Sequence, residues 1–197
     1  MNKTPLLYTL GRIILGPIFR LYYNPKVFNK EYLKQEGPVI IAGNHIHVYD
    51  QFLTIIDTKR FIRYMAKKEY FDSIKTAWFF KRTGCISVDR KIKDEEATKE
   101  ALKTLENGLA IGIFPEGTRN KTEEFLLPFK YGTVSLAKKT DSYIIPLGIT
   151  GTYKFRSKDL TIRYGKPFKV TDMEIEEAND KLYNEVKKLM EENLKEK

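Results

Sequence analysis

The sequence predicts an α/β domain, a mixed and mostly interior sheet flanked by helices, with an amphipathic helical segment ahead of it. Three observations predict this. Short β-branched runs end at Gly, Asn or Pro, stretches with apolar residues at helical spacing lie between them, and the first 30 residues carry a one-sided apolar stripe. At 197 residues, with no stretch that resembles a linker, the chain has material for one ordinary core. The expected division is an amino-terminal segment, 1–30, and one domain, 31–197.

In the amino-terminal segment Leu6, Leu10, Ile14, Ile18 and Leu21 recur at helical spacing, and Leu7, Ile13 and Phe19 widen the apolar side. Thr9, Arg12, Gly16 and Arg20 form a narrow polar strip. Such a helix, kinked near Pro17, is expected to lie in a headgroup layer with its arginines toward lipid phosphates. The alternative is an amphipathic helix packed on the domain's own core.

Val39 to Ile41, ending in Gly43-Asn44, reads as a buried strand feeding a loop. A helix follows from Asp50, then a strand near Phe61 to Met65, a helix through Tyr70 to Phe80 and a short strand at Cys85 to Val88. Helix 94–107 has Asp94 to cap its first turn and Gly108 to end it. Leu109 to Phe114 is another interior strand. Pro115 to Tyr131 has Pro, Gly, Thr and charges without apolar periodicity and reads as a functional loop. A helix near Thr133 to Lys139 and strands at Ile144 to Ile149 and Leu160 to Tyr164 come next. The last helix carries a stripe of Ile175, Ala178, Leu182, Val186, Leu189 and Met190.

The formal net charge of +9 favours an acidic partner: nucleic acid, an anionic bilayer surface or an acidic carrier protein. One cysteine, Cys85, cannot form an intrachain disulfide, and the chain opens without a signal-peptide pattern, so a cytosolic setting is expected. The longest run free of Asp, Glu, Lys and Arg is Gly37 to Tyr49, 13 residues, well short of the roughly 20 that span a bilayer.

Four constellations carry chemistry. His45 and His47, the only histidines, follow an interior strand in Asn44-His45-Ile46-His47-Val48-Tyr49-Asp50, where open α/β sheets place their ligands. Gly84-Cys85-Ile86-Ser87-Val88-Asp89-Arg90 delivers an arginine at a strand end. Phe114-Pro115-Glu116-Gly117-Thr118-Arg119 follows another strand, and Ile144-Ile145-Pro146-Leu147-Gly148-Ile149 is an apolar strand interrupted by proline. Alone, each is ordinary: an H-x4-D pair is a weak signal, strand-end arginines usually face solvent, and a strand proline often marks an edge.

In this order and spacing they resemble the blocks of the glycerolipid acyltransferase family that includes 1-acylglycerol-3-phosphate acyltransferases: N-H-x4-D, G-x-I-x-x-x-R, F-P-E-G-T-R and V-P-x-x-x, over residues 38 to 150. Ala66-Lys67-Lys68-Glu69 and Phe129-Lys130-Tyr131-Gly132 resemble the text between blocks. The family commonly has Ser where this chain has His47 and Asn120, so neither hydroxyl is essential here.

The resemblance implies acyl transfer from an acyl carrier protein or coenzyme A thioester to the sn-2 hydroxyl of 1-acyl-sn-glycerol-3-phosphate, forming phosphatidic acid. His45 takes the hydroxyl proton and Asp50 orients the imidazole, as in a serine hydrolase triad with the substrate's hydroxyl as nucleophile. Arg119, beside the Gly117-Thr118 turn, is expected on the acceptor phosphate, with Arg90 second and Lys67 on phosphate or oxyanion. Glu116 is expected to orient Arg119 or meet a glycerol hydroxyl. Cys85, in an apolar strand, reads as core, and two histidines with one nearby carboxylate make an incomplete metal set. No cofactor, no metal and no nucleic-acid partner are expected. The expected location is the cytoplasmic face of the cell membrane, peripheral or monotopic. Glycerol-3-phosphate or another lysophospholipid is the alternative acceptor, and a non-enzymatic basic membrane-binding module is the reading from another class.

Overall fold

The computed structural model describes residues 4–196. The first three residues of the amino-terminal segment and Lys197 lie outside the described residues. The strands are β1 Lys26–Phe28, β2 Val39–Gly43, β3 Ile62–Lys67, β4 Ile86–Val88, β5 Ala110–Ile113, β6 Tyr143–Thr150 and β7 Thr161–Tyr164. They form one sheet in the order β1-β7-β6-β2-β5-β3-β4. From β6 to β4 every pairing is parallel, whereas β7 runs antiparallel to β6 and β1 pairs parallel with β7. Five strands therefore end at one edge.

The helices are α1 Leu6–Leu10, α2 Gly16–Tyr23, α3 Asp50–Asp57, α4 Glu69–Asp72, α5 Ile74–Arg82, α6 Glu95–Glu106, α7 Gly132–Thr140 and α8 Ile175–Lys195. Strand side chains alternate between two cores, as a period of two requires. Ile40, Ala42, Ile111 and Ile144 pack with α6, α7 and α8, while Val39, Ile41, Ile145 and Leu147 pack with Phe19 of α2 and Leu53 of α3. Interior strands covered on both faces read as continuous apolar runs, which is why β2 and β6 stand out in the sequence.

The departures from expectation are local. The helix predicted through Tyr70 to Phe80 is two helices, because Ser73 is extended and starts α5. Three-residue β1 has no alternation to reveal it, and it places residues 26–28 of the amino-terminal segment in the sheet. Pro146 lies inside the sheet rather than at an edge: β6 pairs with β2 through it, and on the other side the β7 ladder begins only at Leu147. Its carbonyl accepts the Gly165 N–H at 2.8 Å, so the missing N–H omits only the return bond, just past the end of β7.

The amino-terminal helix turns its arginines toward the domain rather than toward lipid phosphates. Its polar strip is the packed side. Arg12 donates to the carbonyl of Thr58 at 3.0 Å, Arg20 donates to Ile56 O at 3.2 Å and pairs with Asp57, and Gly16 lies so close to Ile56 that an added Cβ would stand 3.2 Å from its methyl. The arginines thus cap the carboxyl end of α3, the negative end of its dipole. Leu6, Leu10, Ile14, Ile18 and Leu21 point outward, Leu6 74% and Leu21 76% exposed, whereas Phe19 is buried. Pro17 does not break the helix, because a π-helical turn, Gly11–Leu15, joins α1 to α2 and absorbs the missing donor. Among the described residues no helix is long and apolar enough to cross a membrane.

Candidate active site

The Asp50 carboxylate is fully buried at the first turn of α3, with one oxygen serving three donors. Its Oδ2 lies 2.7 Å from His45 Nδ1 and accepts the backbone N–H groups of Ile46 at 2.7 Å and His47 at 2.8 Å. An oxygen that serves two backbone donors is an acceptor, so the proton of the third contact belongs to Nδ1, and Nε2 of His45 carries the free lone pair. The five-residue spacing suits this geometry: the loop from β2 turns once, and its own N–H groups close on the aspartate that opens the helix.

Neighbouring motifs hold the histidine in place. Asn44 uses its side-chain amide as a false strand residue, donating to Ile149 O at 2.8 Å and accepting from Ile149 N at 2.7 Å, which extends the β2–β6 ladder by one rung. Gly43 is required beneath it, since a Cβ there would lie 2.2 Å from Leu147 O. Phe114 stacks flat on the His45 imidazole, centroids 4.1 Å apart at 6°. Glu116 accepts the His45 N–H at 2.6 Å and the Leu127 N–H at 3.1 Å, and Asn120 N donates to His45 O at 2.7 Å. Glu116 is buried, and burial pushes its carboxyl above the ordinary range. Its hydrogen bonds run to the scaffold, not to Arg119.

Strand order spreads the remaining candidates along the same edge. Along β2, β5, β3 and β4 the groups are His45, then Gly117, Thr118 and Arg119, then Lys67, then Arg90. Arg119 is half-buried in the loop that follows β5, the strand next to β2. Lys67 is exposed and pairs with Glu69 at 2.8 Å, and Arg90 is exposed beyond β4. Gly117 has φ +71°, a left-handed turn that favours glycine, and the Lys130 side chain lies against it. Among the described residues no group of three or more His, Cys, Asp or Glu is arranged to hold a metal ion.

A family model described as Acyltransferase matches residues 24–150, from β1 to the end of β6. The chain belongs to the acyltransferase family. Curated relatives agree: the 1-acyl-sn-glycerol-3-phosphate acyltransferase of Bacillus subtilis (strain 168) is 29% identical over 163 residues, 80% of each chain. That of Borreliella burgdorferi is 31% identical over 141 residues, 71% of this chain and 56% of the relative. Among solved structures, the 1-acyl-sn-glycerophosphate (LPA) acyltransferase PlsC from Thermotoga maritima superposes with a TM-score of 0.76 at 21% identity, covering 94% of this chain and 78% of that one, a likeness of fold.

In this acyltransferase Cys85 is half-buried against the core, its thiol 3.6 Å from Thr83 Oγ1, and burial raises its pKa. That is an inert thiol rather than an activated one. His47 does not share the Asp50 side-chain contact of His45. Its ring stacks on Tyr153 at 4.2 Å, and burial lowers its pKa. The sequence reading assigned no role to Asn44, Phe114, Lys130 or Tyr153. The first three lie in or beside the quoted motifs. Nothing local marks Tyr153.

Proposed function

We propose that the protein transfers an acyl group from a thioester to the sn-2 hydroxyl of 1-acyl-sn-glycerol-3-phosphate, forming phosphatidic acid, with His45 as base and Asp50 as its orienting partner. The observation that carries this is the His45–Asp50 contact of 2.7 Å at the edge where β2, β5, β3 and β4 end, with cationic side chains along that edge. The relatives' names supply the substrate class.

His45 Nε2 accepts the hydroxyl proton as the oxygen bonds to the thioester carbonyl carbon, and Asp50 stabilises the imidazolium. The tetrahedral oxyanion collapses, the C–S bond breaks, and the leaving thiolate takes the proton back from Nε2. No acyl-enzyme is needed, in keeping with the half-buried Cys85, whose pKa burial raises. Arg119, in the loop after β5, suits the acceptor phosphate through its planar fork beside the Gly117 turn, with Thr118 in the same turn. Arg90 and Lys67 add positive field along the edge. Glu116 serves by holding the His45 main chain.

The exposed Leu6, Leu10, Ile14, Ile18 and Leu21 stripe supports attachment at the cytoplasmic face of an anionic membrane, where the acceptor lipid resides. The donor is an acyl carrier protein or coenzyme A thioester, both acidic and matched to the +9 charge.

The test is phosphatidate formation by purified protein from lysophosphatidate with each donor, beside folded His45→Ala and Cys85→Ala variants. Product from the wild type and from Cys85→Ala, and none from His45→Ala, is expected. A folded but inactive Cys85→Ala would overturn direct transfer.

A further inference from the structure

The two oxygens of Asp50 are served from different parts of the chain. Oδ2 takes its three donors from the loop that follows β2, whereas Oδ1 is met by the phenolic hydroxyl of Tyr153, which donates at 2.6 Å from 103 residues away. Tyr153 lies past the end of β6 and beyond the span matched by the family model. The separation is that of a hydroxyl bound to a charged oxygen.

The tyrosine is held from three sides. Gly151, at φ +90°, makes the turn, and a Cβ there would stand 2.1 Å from Asp159 O. Thr152 is tied to Asp159 Oδ1 through its backbone N–H at 3.3 Å and its hydroxyl at 3.0 Å. The ring stacks on His47 and meets Phe19 and Tyr23 of α2 edge-on. Burial and the neighbouring carboxylate keep the phenol protonated, and hence a donor.

We propose that Tyr153 is a positioning residue for the transfer reaction: its hydroxyl fixes the second oxygen of Asp50 so that Oδ2 stays directed at His45 Nδ1. The torsion that turns a carboxylate is broad, so backbone N–H groups on one oxygen leave the plane of the group free to swing. A donor on the other oxygen removes that freedom and satisfies a buried acceptor that otherwise has no partner among the described residues. The groups facing the pair are Glu116 and Arg119 from the loop after β5, His47 from the same turn, and Tyr64 from β3. None of these donates to Oδ1, which Tyr153 alone meets among the described residues. This inference rests on His45 acting as the base.

The experiment compares wild type with Tyr153→Phe, which keeps the ring stacked on His47. Turnover number is expected to fall about tenfold, the loss of one hydrogen bond to a charged group, with both Michaelis constants within about twofold. The downfield proton resonance of the His45 Nδ1–H is expected to shift, and His47→Asn assigns it, since the chain has only two histidines. Wild-type turnover with an unmoved resonance overturns the proposal. If Tyr153→Phe does not fold, fluorotyrosines placed at 153 preserve shape and grade the acidity of the phenol. The resonance then follows that acidity, and a resonance indifferent to it overturns the proposal. Because the resonance is read without turnover, its failure is separate from that of the base assignment, which a fully active His45→Ala would remove.

Discussion

The carboxylate of Glu116 accepts the backbone N–H of His45 at 2.6 Å, so the side chain of one motif fastens the main chain of another. Its other oxygen accepts Leu127 N–H, and a glutamine offers only one acceptor for these two donors. Glu116→Gln is expected to cost about 1–3 kcal/mol in urea denaturation. The pH dependence has a definite sign. Burial raises this carboxyl, so between its ordinary value of 4.5 and the higher folded value the native state binds more protons than the unfolded chain, and stability declines as pH rises through that window. In Glu116→Gln this contribution to the slope disappears.

His45→Ala and Asp50→Asn are each expected to lower single-turnover acyl transfer by roughly 10²- to 10⁴-fold. The double variant should be little worse than the poorer single one, because the two side chains act as a unit. Additive losses would mean that they act separately.

Arg119→Ala is expected to raise the Michaelis constant of the phosphorylated acceptor by about 10- to 100-fold, the worth of a hydrogen bond to a charged group, while leaving that of the donor unchanged. The reverse pattern in initial-rate kinetics would move Arg119 to the thioester carrier.

The amino-terminal helix supplies a contrast between two kinds of substitution. Arg20→Ala removes the charged partner of Asp57, whose side chain is 1% exposed and keeps the Tyr164 hydroxyl at 2.9 Å, and the cost is about 2 kcal/mol once the 41% exposure of Arg20 itself is discounted. Ile18→Ala, at a site 59% exposed, should change stability by under about 0.5 kcal/mol yet weaken cosedimentation with anionic vesicles.

Asp94 caps α6 by accepting from Ala97 N at 2.9 Å and also accepts Asp89 N at 2.8 Å, and these bonds hold its carboxyl below the ordinary 3.8. Its stabilising effect is complete above that value and is lost as pH falls through the depressed folded value. Asp94→Ala should cost about 1 kcal/mol near neutrality, and Asp94→Asn should keep the cap while flattening the acid limb of thermal stability.

What could be read from the sequence follows the range of the forces involved. The β2, β5 and β6 runs are legible because burial on both faces makes them uniformly apolar, and α6 because its cap and stop are local. The His45–Asp50 contact is legible because five residues and one turn close it. Tyr153 is not, since its partner is 103 residues away and only the finished sheet brings them together. The side on which α1 and α2 pack is not legible either. Periodicity reveals two faces, but the choice between them is made by a buried acid, Asp57, and by carbonyls at the end of a helix elsewhere in the chain.

That choice changes which residues of the first helix tolerate replacement. In most surface helices the leucines are fitted into a core and the charges are interchangeable. Here Arg12, Gly16 and Arg20 meet fixed partners at fixed distances, and the outward leucines and isoleucines meet no particular shape. A library that exchanges one aliphatic side chain for another along the stripe should return folded protein almost everywhere, and one that varies the arginines should not. The helix is held on by Arg12, Arg20 and the buried Tyr8 and Phe19, and its outward stripe takes no part in that attachment.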